Sequence, residues 1–228
     1  MVIGNGLLAT TFSSFKNNQK VVIFASGVSN SLEENKSEFE RELALLKKSY
    51  KNYPNSTLVY FSTLSILDNE VVNRKYVQHK LAMESFICKN IPTYLILRVS
   101  NVVGSNGNSH TIVNFLVNAV KNKIPITIWE SAERNLIAVD DVKFIVTELL
   151  KKEERNKIVN IATNYNIPVI KILQTIEAYF NKKAIVKLLP LGNKLAIDVS
   201  YIALYLNEIE KKKGTGINYI KTLLKSYY

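Results

Sequence analysis

Tyr76 and Lys80 are the residues whose types and spacing most directly suggest chemistry. They lie in the helix-forming segment YVQHK, and residues four apart face the same side of a helix. Because a nearby ammonium favours the phenolate, we expect the pKa of Tyr76 to lie below its usual value of about 10. A tyrosine tuned in this way can give or take a proton at a carbonyl–alcohol centre. The same spacing also arises by chance in ordinary helices, so the pair alone does not establish catalysis.

Hydroxyl side chains precede this pair at the end of a predicted strand. The segment STLVYFST is an apolar run of strand length that ends in Ser62 and Thr63, and Ser65 follows shortly after. A hydroxyl at the carboxyl end of a strand faces the crevice where α/β sheets bind ligands. The sequence therefore supplies hydrogen-bonding groups close to where Tyr76 would act.

A glycine turn lies near the start of the chain. The segment GNGLLA, with Gly4, Gly6 and Ala9, stands between a short predicted strand and a predicted helix. Such a turn lets a phosphate approach the amides at a helix N-terminus, which favours dinucleotide binding over an incidental helix-entry turn. One expected feature is missing, because the next strand, Val21–Phe24, does not end in the acidic residue that would bind an adenosine ribose.

The rest of the chain alternates strand and helix patterns, which predicts an α/β fold with a mainly parallel sheet. Continuous apolar strands fit a sheet that is covered on both faces. The tail from about Ala184 has a weaker pattern, with one predicted helix at SYIALYLNEIEKKK. The segments with strand character are KVVIFAS, STLVYFST, TYLILRVSNVVG, ITIWES and KIVNIA.

Composition sets limits on the class of protein. The chain has 228 residues, of which 47% are hydrophobic, and a single cysteine, which fits a reducing cytoplasm. We expect neither a signal peptide nor a membrane span. The net charge of +11 could serve a nucleic acid, an acidic lipid or a phosphorylated substrate. Its lysines are spread along the chain without a nucleic-acid-binding motif, so we favour a solvated basic surface over nucleic-acid binding.

Seven segments in order resemble the NAD-dependent epimerase/dehydratase family of extended short-chain dehydrogenases/reductases. They extend from residue 2 to about residue 164, and the remainder matches only loosely. The resemblance implies a Rossmann-like core at 1–164, with 107–137 contributing to a small substrate lobe at 165–228. The segments are VIGNGLLA, VVIFASGVS, VYFSTLSIL, YVQHKLAMESF, LILRVSNVVG, PITIWESAERNLIAVDDV and VNIATN.

The resemblance implies a role for each matching residue. Tyr76 corresponds to the catalytic acid/base, Lys80 to the residue that tunes it and holds the nicotinamide ribose, and Thr63 to the hydroxyl that binds the substrate oxygen, with Ser62 or Ser65 as its substitute. The implied coenzyme, NAD or NADP, would contact Gly4, Asn5, Gly6, Leu7 and Leu8 at the pyrophosphate, Ala25, Ser26 and Gly27 beside the adenosine and ribose, and also Ser62, Tyr76, Lys80, Arg98 and Val99.

The substrate side is implied by fewer residues. Ser65, Asn101 and Arg134 match substrate-contacting positions, and the Arg134 guanidinium suits the oxygens of a diphosphate. Two alternatives stay open, since Arg134 could instead pair with Asp140 or Asp141, and Asn101 could be a turn residue. No metal site is expected, and both His79 and His110 are predicted to be surface residues.

The sequence also departs from the family pattern. Only a few residues separate the first helix from KVVIFAS, so the usual second and third strands are predicted to be absent, leaving the first strand at the sheet edge. The loop LDNEVVNRK is short, and Val103 stands where the family usually has tyrosine. Leu64 and Ser65 replace the acid pair of dehydratases, which argues against dehydration.

These features predict an NAD(P)-dependent reductase or dehydrogenase for a nucleotide-linked keto-sugar. A nucleotide-sugar epimerase would use the same tyrosine and lysine, and a non-catalytic dinucleotide-binding sensor or scaffold protein is the alternative from another class. The helices around Glu38–Ser49 and Tyr76–Ile87 resemble the family's dimer surface, so we expect a homodimer.

Overall fold

The structure is a computed structural model that describes residues 1–105, 108 and 111–228. His110 lies outside these residues. The strands are β1 Val2–Ile3, β2 Val21–Phe24, β3 Thr57–Thr63, β4 Tyr94–Val99, β5 Asn101–Val103, β6 Ile126–Trp129, β7 Glu133–Arg134, β8 Leu136–Ala138, β9 Lys157–Ile161, β10 Ile167–Pro168 and β11 Val186–Leu189. The helices are α1 Leu7–Thr11, α2 Lys36–Asn52, α3 Lys75–Asn90, α4 Ile112–Asn122, α5 Val139–Lys151, α6 Val169–Phe180, α7 Ala203–Lys213 and α8 Gly216–Tyr227.

The first of two compact units comprises residues 1–99 and 143–161. Its sheet has five parallel strands in the order β1-β2-β3-β4-β9. Every residue of β2 and β3 is buried, as expected of strands covered on both faces. Leu46 of α2 and Met83 of α3 pack with Tyr60 and Ile96 of the sheet in one apolar cluster. The predicted α/β architecture with a mainly parallel sheet is confirmed.

The predicted loss of two strands is also confirmed. After α1 and a short 3-10 turn at Ser13–Phe15, the chain enters β2, which pairs directly with β1. Within the described residues no strand lies beyond β1, so β1 forms one edge of this sheet. Among the described residues, no further strand therefore lies on the side of the sheet where the family resemblance places the adenosine end of a dinucleotide.

The second unit comprises residues 100–142 and 162–228. It contains three two-stranded pairings: β5 with β8 and β6 with β11 are parallel, and β7 with β10 is antiparallel. Its helices bury apolar faces, including Leu223 and Leu224 of α8. The sequence predicted one helix in the tail, whereas the structure has α7, α8 and the strand β11. No helix in the described ranges is both long and apolar enough to cross a membrane.

Candidate active site

Thr63 and Tyr76 meet at the carboxyl end of the central sheet in the first unit. Thr63 is the last residue of β3, and its side chain accepts a hydrogen bond from the Ser65 amide at 3.1 Å, which starts the 3-10 turn Leu64–Leu67. Tyr76 lies in the first turn of α3, and the Thr63 hydroxyl is close enough to its phenol to lower the pKa of that phenol. Each residue is 8% exposed. The structure thus brings together the predicted proton donor and the predicted substrate-binding hydroxyl.

Lys80 lies one turn along α3, but its ammonium binds a different partner. Its Nζ is 3.0 Å from Oε1 of Glu42 and 3.1 Å from the Tyr60 hydroxyl. It lies 5.9 Å from the centre of the Tyr76 ring. Lys80 is 2% exposed and Glu42 is completely buried, so this ion pair is shielded from water. The predicted helical neighbour of Tyr76 is therefore held in a buried pair with α2.

Glu42 is the centre of this cluster. Its Oε1 accepts a hydrogen bond from the Tyr60 hydroxyl at 2.6 Å, while its Oε2 accepts one from the Val28 amide at 2.7 Å and lies 2.9 Å from Nε2 of His79. Burial alone raises the pKa of Glu42, but the hydrogen bond from His79, the charge of Lys80 and the bonds from Tyr60 and Val28 outweigh it and hold this pKa at about 2. Glu42 is therefore ionised at neutral pH.

The pKa of Tyr76 shifts in the direction opposite to the sequence-based expectation. Burial raises it to about 12, the hydrogen bond from Thr63 opposes this, and the Glu42 carboxylate raises it further. The expectation rested on an unpaired ammonium beside the phenol, whereas Glu42 neutralises the charge of Lys80. Tyr76 is therefore a protonated phenol at neutral pH.

The glycine turn and the loop after β2 lie side by side. Gly4 has φ +122°, and a Cβ on it would collide with the carbonyl of Ala25. In the part of the chain that the structure describes, no heavy atom lies within 4 Å of where a Cβ on Gly6 would be. Gly4, Asn5 and Gly6 are exposed, and α1 begins immediately after them. This turn has the space for a phosphate that its sequence predicts.

Gly27 lies directly against the buried ion pair. A Cβ on it would be 2.7 Å from the Lys80 Nζ and 2.9 Å from Oε1 of Glu42. A side chain at this position would displace one of these charged groups, which are held by their own buried contacts. Gly27 and Val28 consequently cover the ammonium that the family resemblance assigns to the nicotinamide ribose.

Ser62 and Arg98 share a second buried carboxylate. The Ser62 hydroxyl donates to Oε1 of Glu84 at 2.6 Å, and Arg98 binds both oxygens of Glu84, at 3.0 and 2.7 Å. Glu84 lies on α3, one turn beyond Lys80. Val99 pairs with Thr63 in the sheet register. This network fixes α3 against β3 and β4, and the coenzyme contacts assigned to Ser62, Arg98 and Val99 stay predictions.

Asn101 and Arg134, predicted on the substrate side, belong to the second unit. The Asn101 amide side chain donates to the Asn135 carbonyl at 2.9 Å, and Nη1 of Arg134 donates to the Glu133 carbonyl at 2.7 Å.

Among the described residues, no group of three or more His, Cys, Asp or Glu could hold a metal ion.

Three buried residues of this site were not predicted from the sequence, namely Glu42, Tyr60 and Glu84, and the prediction that His79 lies on the surface is wrong. The His79 side chain is only 9% exposed, and its ring stacks on Phe39 with 4.6 Å between centroids. A signal for Glu42 was available, because it lies on the buried stripe of α2 that continues with Leu46, four residues on, and Ser49, three residues after that. A carboxylate on such a stripe requires a buried partner.

Comparisons with known proteins identify the fold. A UDP-glucuronic acid 4-epimerase from Bacillus cereus, solved with UDP-glucuronic acid and NAD, is 18% identical, with a TM-score of 0.68 over 96% of this chain and 79% of its own. This chain shares the fold of that enzyme. The UDP-glucose 4-epimerase of Thermus thermophilus, solved with NAD, is 15% identical, with a TM-score of 0.66 over 96% of this chain and 81% of its own.

The same fold occurs in RMD from Pseudomonas aeruginosa, solved with NADPH. It is 14% identical, with a TM-score of 0.66 over 99% of this chain and 88% of its own. No family model and no curated protein matches the chain. The resemblance found in the sequence is thus confirmed at the level of the fold.

Proposed function

We propose that this protein is an NAD(P)-dependent oxidoreductase that reduces a nucleotide-linked keto-sugar. The observation that carries the proposal is that Thr63 and Tyr76 lie side by side at the carboxyl end of β3, where the Thr63 hydroxyl acts on the phenol. Ligands of open α/β sheets bind at this end of the strands. The fold is shared with sugar epimerases that were solved with NAD.

The glycine turn fits the pyrophosphate of a dinucleotide. The open space at Gly6 allows a phosphate to approach the backbone. Lys80 fits less well, because in this structure Gly27 covers its ammonium and Glu42 binds it. The coenzyme is therefore assigned mainly to the turn and to the carboxyl end of the sheet beside Tyr76. When bound, it supplies the hydride.

Tyr76 supplies the proton of the proposed reaction. With a pKa of about 12, roughly one phenol in 10⁵ is ionised at pH 7, so the proton-donating form dominates. A reduction requires this form, because the keto oxygen gains a proton as the carbon gains a hydride. When the substrate is bound, the Thr63 hydroxyl would donate its single proton to the keto oxygen instead of to the phenol. An oxidation would begin from the scarce phenolate, which favours reduction over epimerisation.

The proposed substrate class rests on charge and on the structural relatives. The relative from Bacillus cereus was solved with UDP-glucuronic acid. This chain carries a net charge of +11, which favours an anionic nucleotide-linked substrate. The Arg134 guanidinium is the group that we assign to the diphosphate.

A second candidate function, a non-catalytic dinucleotide-binding protein, is favoured by one observation. Lys80 is 2% exposed and bound to Glu42, so its ammonium is not presented to a ligand in this conformation. A protein that only binds a dinucleotide needs no lysine at the ribose.

Coenzyme oxidation separates the two functions. Purified protein is mixed with NADH or NADPH and a panel of nucleotide-linked keto-sugars, and absorbance is followed at about 340 nm. The reductase predicts turnover that Tyr76→Phe abolishes while coenzyme affinity is retained, and Tyr53→Phe is the matched control with full activity. Coenzyme binding without turnover across the panel supports the non-catalytic alternative, and equal activity in Tyr76→Phe refutes the assigned proton donor.

A further inference from the structure

We infer that Glu42 is a positioning residue of the candidate site, whose single buried carboxylate fixes the Lys80 ammonium and the loop Ala25–Val28 against each other. The functional part of this inference rests on the proposed coenzyme binding, because the family resemblance assigns both the loop and Lys80 to the coenzyme. Its structural part rests on contacts within the first unit alone.

The geometry leaves the carboxylate no freedom. Oε1 accepts hydrogen bonds from the Tyr60 hydroxyl at 2.6 Å and from the Lys80 ammonium at 3.0 Å. Oε2 accepts one from the Val28 amide at 2.7 Å and lies 2.9 Å from Nε2 of His79. A carboxylate has about four acceptor positions, so these four donors occupy them all. Glu42 itself is completely buried, and water does not compete for these bonds.

These contacts join four separate parts of the chain. Glu42 comes from α2, Tyr60 from β3, and His79 and Lys80 from α3, while Val28 is the last residue of the loop Ala25–Val28 after β2. Gly27, within this loop, can approach the Lys80 ammonium closely because it has no side chain. The position of Lys80 relative to the loop is therefore set by Glu42.

A glutamine at this position would lose two functions of the carboxylate. Its amide nitrogen is a donor, so it cannot accept the bonds that one carboxylate oxygen now accepts. The ammonium of Lys80 would also lose its counter-charge in a buried place. Burial lowers the pKa of Lys80, and the Glu42 carboxylate opposes this effect. Without Glu42, Lys80 is expected to lose its proton at a lower pH.

Other titratable groups also act on this pair and limit the choice of pH range. The groups that face Lys80 and Glu42 from the surrounding elements are Arg41 on α2, Tyr60 on β3, and Tyr76, His79 and Glu84 on α3.

The first experiment measures Lys80 in the free protein, with no coenzyme present. The ¹³C resonance of its ε-carbon, assigned by its absence in Lys80→Met, is titrated in the wild type, in Glu42→Gln and in Glu40→Gln. Glu40 is the matched control because it lies on the same helix in an exposed pair with Lys36. In Glu42→Gln, we expect the midpoint of the Lys80 titration to fall by at least about two pH units relative to the wild type. In Glu40→Gln, we expect the wild-type midpoint. An unchanged midpoint in Glu42→Gln overturns the inference.

The conservative variant Glu42→Asp covers the case in which Glu42→Gln does not fold. It keeps the charge but is one methylene shorter, so it cannot reach all four donors. An intermediate midpoint for Lys80 supports the inference, and a wild-type midpoint overturns it.

The second experiment measures coenzyme affinity by nucleotide fluorescence between about pH 7.5 and about pH 10. In the wild type we expect a constant Kd, whereas in Glu42→Gln the Kd should rise by about tenfold or more as Lys80 loses its charge. The double variant Glu42→Gln/Lys80→Met should show a constant Kd, which would tie the pH dependence of Glu42→Gln to Lys80. A purely structural role of Glu42 predicts a Kd that does not change with pH in Glu42→Gln either. A flat profile in Glu42→Gln refutes the functional part. A wild type that binds neither coenzyme refutes the proposed function, while the Lys80 titration still decides the role of Glu42.

Discussion

Because of the buried pair of Glu42 and Lys80, the free energy of unfolding of the first unit should depend on pH in the acidic range. The perturbation is the double variant Glu42→Gln/Lys80→Met, which removes both charges and leaves no buried ammonium without a partner. Comparing it with the wild type isolates the titration of Glu42, because Lys80 is protonated in both the folded and the unfolded wild type at acidic pH.

The magnitude follows from the pKa of Glu42. This pKa is about 2 in the folded protein, against an ordinary value of 4.5, and the difference corresponds to about 3 kcal/mol. Because the folded value is the lower one, the contribution is fully present above about pH 4.5 and is lost as the pH falls toward 2. Between pH 5 and pH 3 the loss is about 2 kcal/mol.

Urea unfolding followed by circular dichroism at about pH 5, 4 and 3 measures this loss. The free energy of unfolding of the wild type should fall relative to that of the double variant by about 2 kcal/mol across the series. A difference that stays constant with pH would show that Glu42 is not held ionised by its partners, and the reasoning about the site would fail.

Three further predictions test individual parts of the account. Gly27→Ala should lower the free energy of unfolding by about 1–3 kcal/mol, because its Cβ would lie 2.7 Å from the Lys80 Nζ. Gly6→Ala is the control: its Cβ would meet open space, so it should cost less than about 1 kcal/mol. Equal losses of unfolding free energy in the two variants would contradict the packing around Gly27. Glu84→Gln should cost about 2–4 kcal/mol in urea unfolding, because Ser62 and Arg98 lose a shared acceptor, and a cost near zero contradicts this network. Arg134→Ala should raise KM for the nucleotide sugar more than KM for the coenzyme, and an unchanged KM removes it from the substrate site.

The sheet could be predicted from sequence because its strands are continuous apolar runs separated by amphipathic helices. Residues such as Val22 and Leu58 are buried in their strands, so local composition and tertiary environment agree. The loss of two strands was visible as a short connection between the glycine turn and β2. The strand β11 was not predicted, because it is four residues long and depends on pairing with β6 in the same unit.

The helix α8 shows a helical periodicity of apolar residues in the sequence, although it was not predicted. Its buried residues Tyr219, Ile220, Leu223 and Leu224 follow helical spacing. The sequence predicts only one helix in the tail, because the tail matches the family only loosely. Periodicity alone would have been sufficient there.

The candidate site was predicted in its identity but not in its electrostatics. The order of Thr63, Tyr76 and Lys80 along the chain was enough to find them. The partner of Lys80, however, is 38 residues away in sequence, and the direction of the Tyr76 pKa depends on that partner. Sequence spacing locates neighbours on one helix, whereas the charge balance of a buried site depends on every element that packs around it.

Transfer of deuterium tests the central claim most directly. The protein is incubated with NADH or NADPH deuterated at the transferable position of C4, together with the keto-sugar that supports coenzyme oxidation, and the product is analysed by mass spectrometry. With the wild type, we predict a reduced nucleotide sugar that is one mass unit heavier than the product formed with unlabelled coenzyme. With Tyr76→Phe, we predict no product. An unlabelled product, or equal labelling by Tyr76→Phe, would contradict hydride transfer assisted by this phenol.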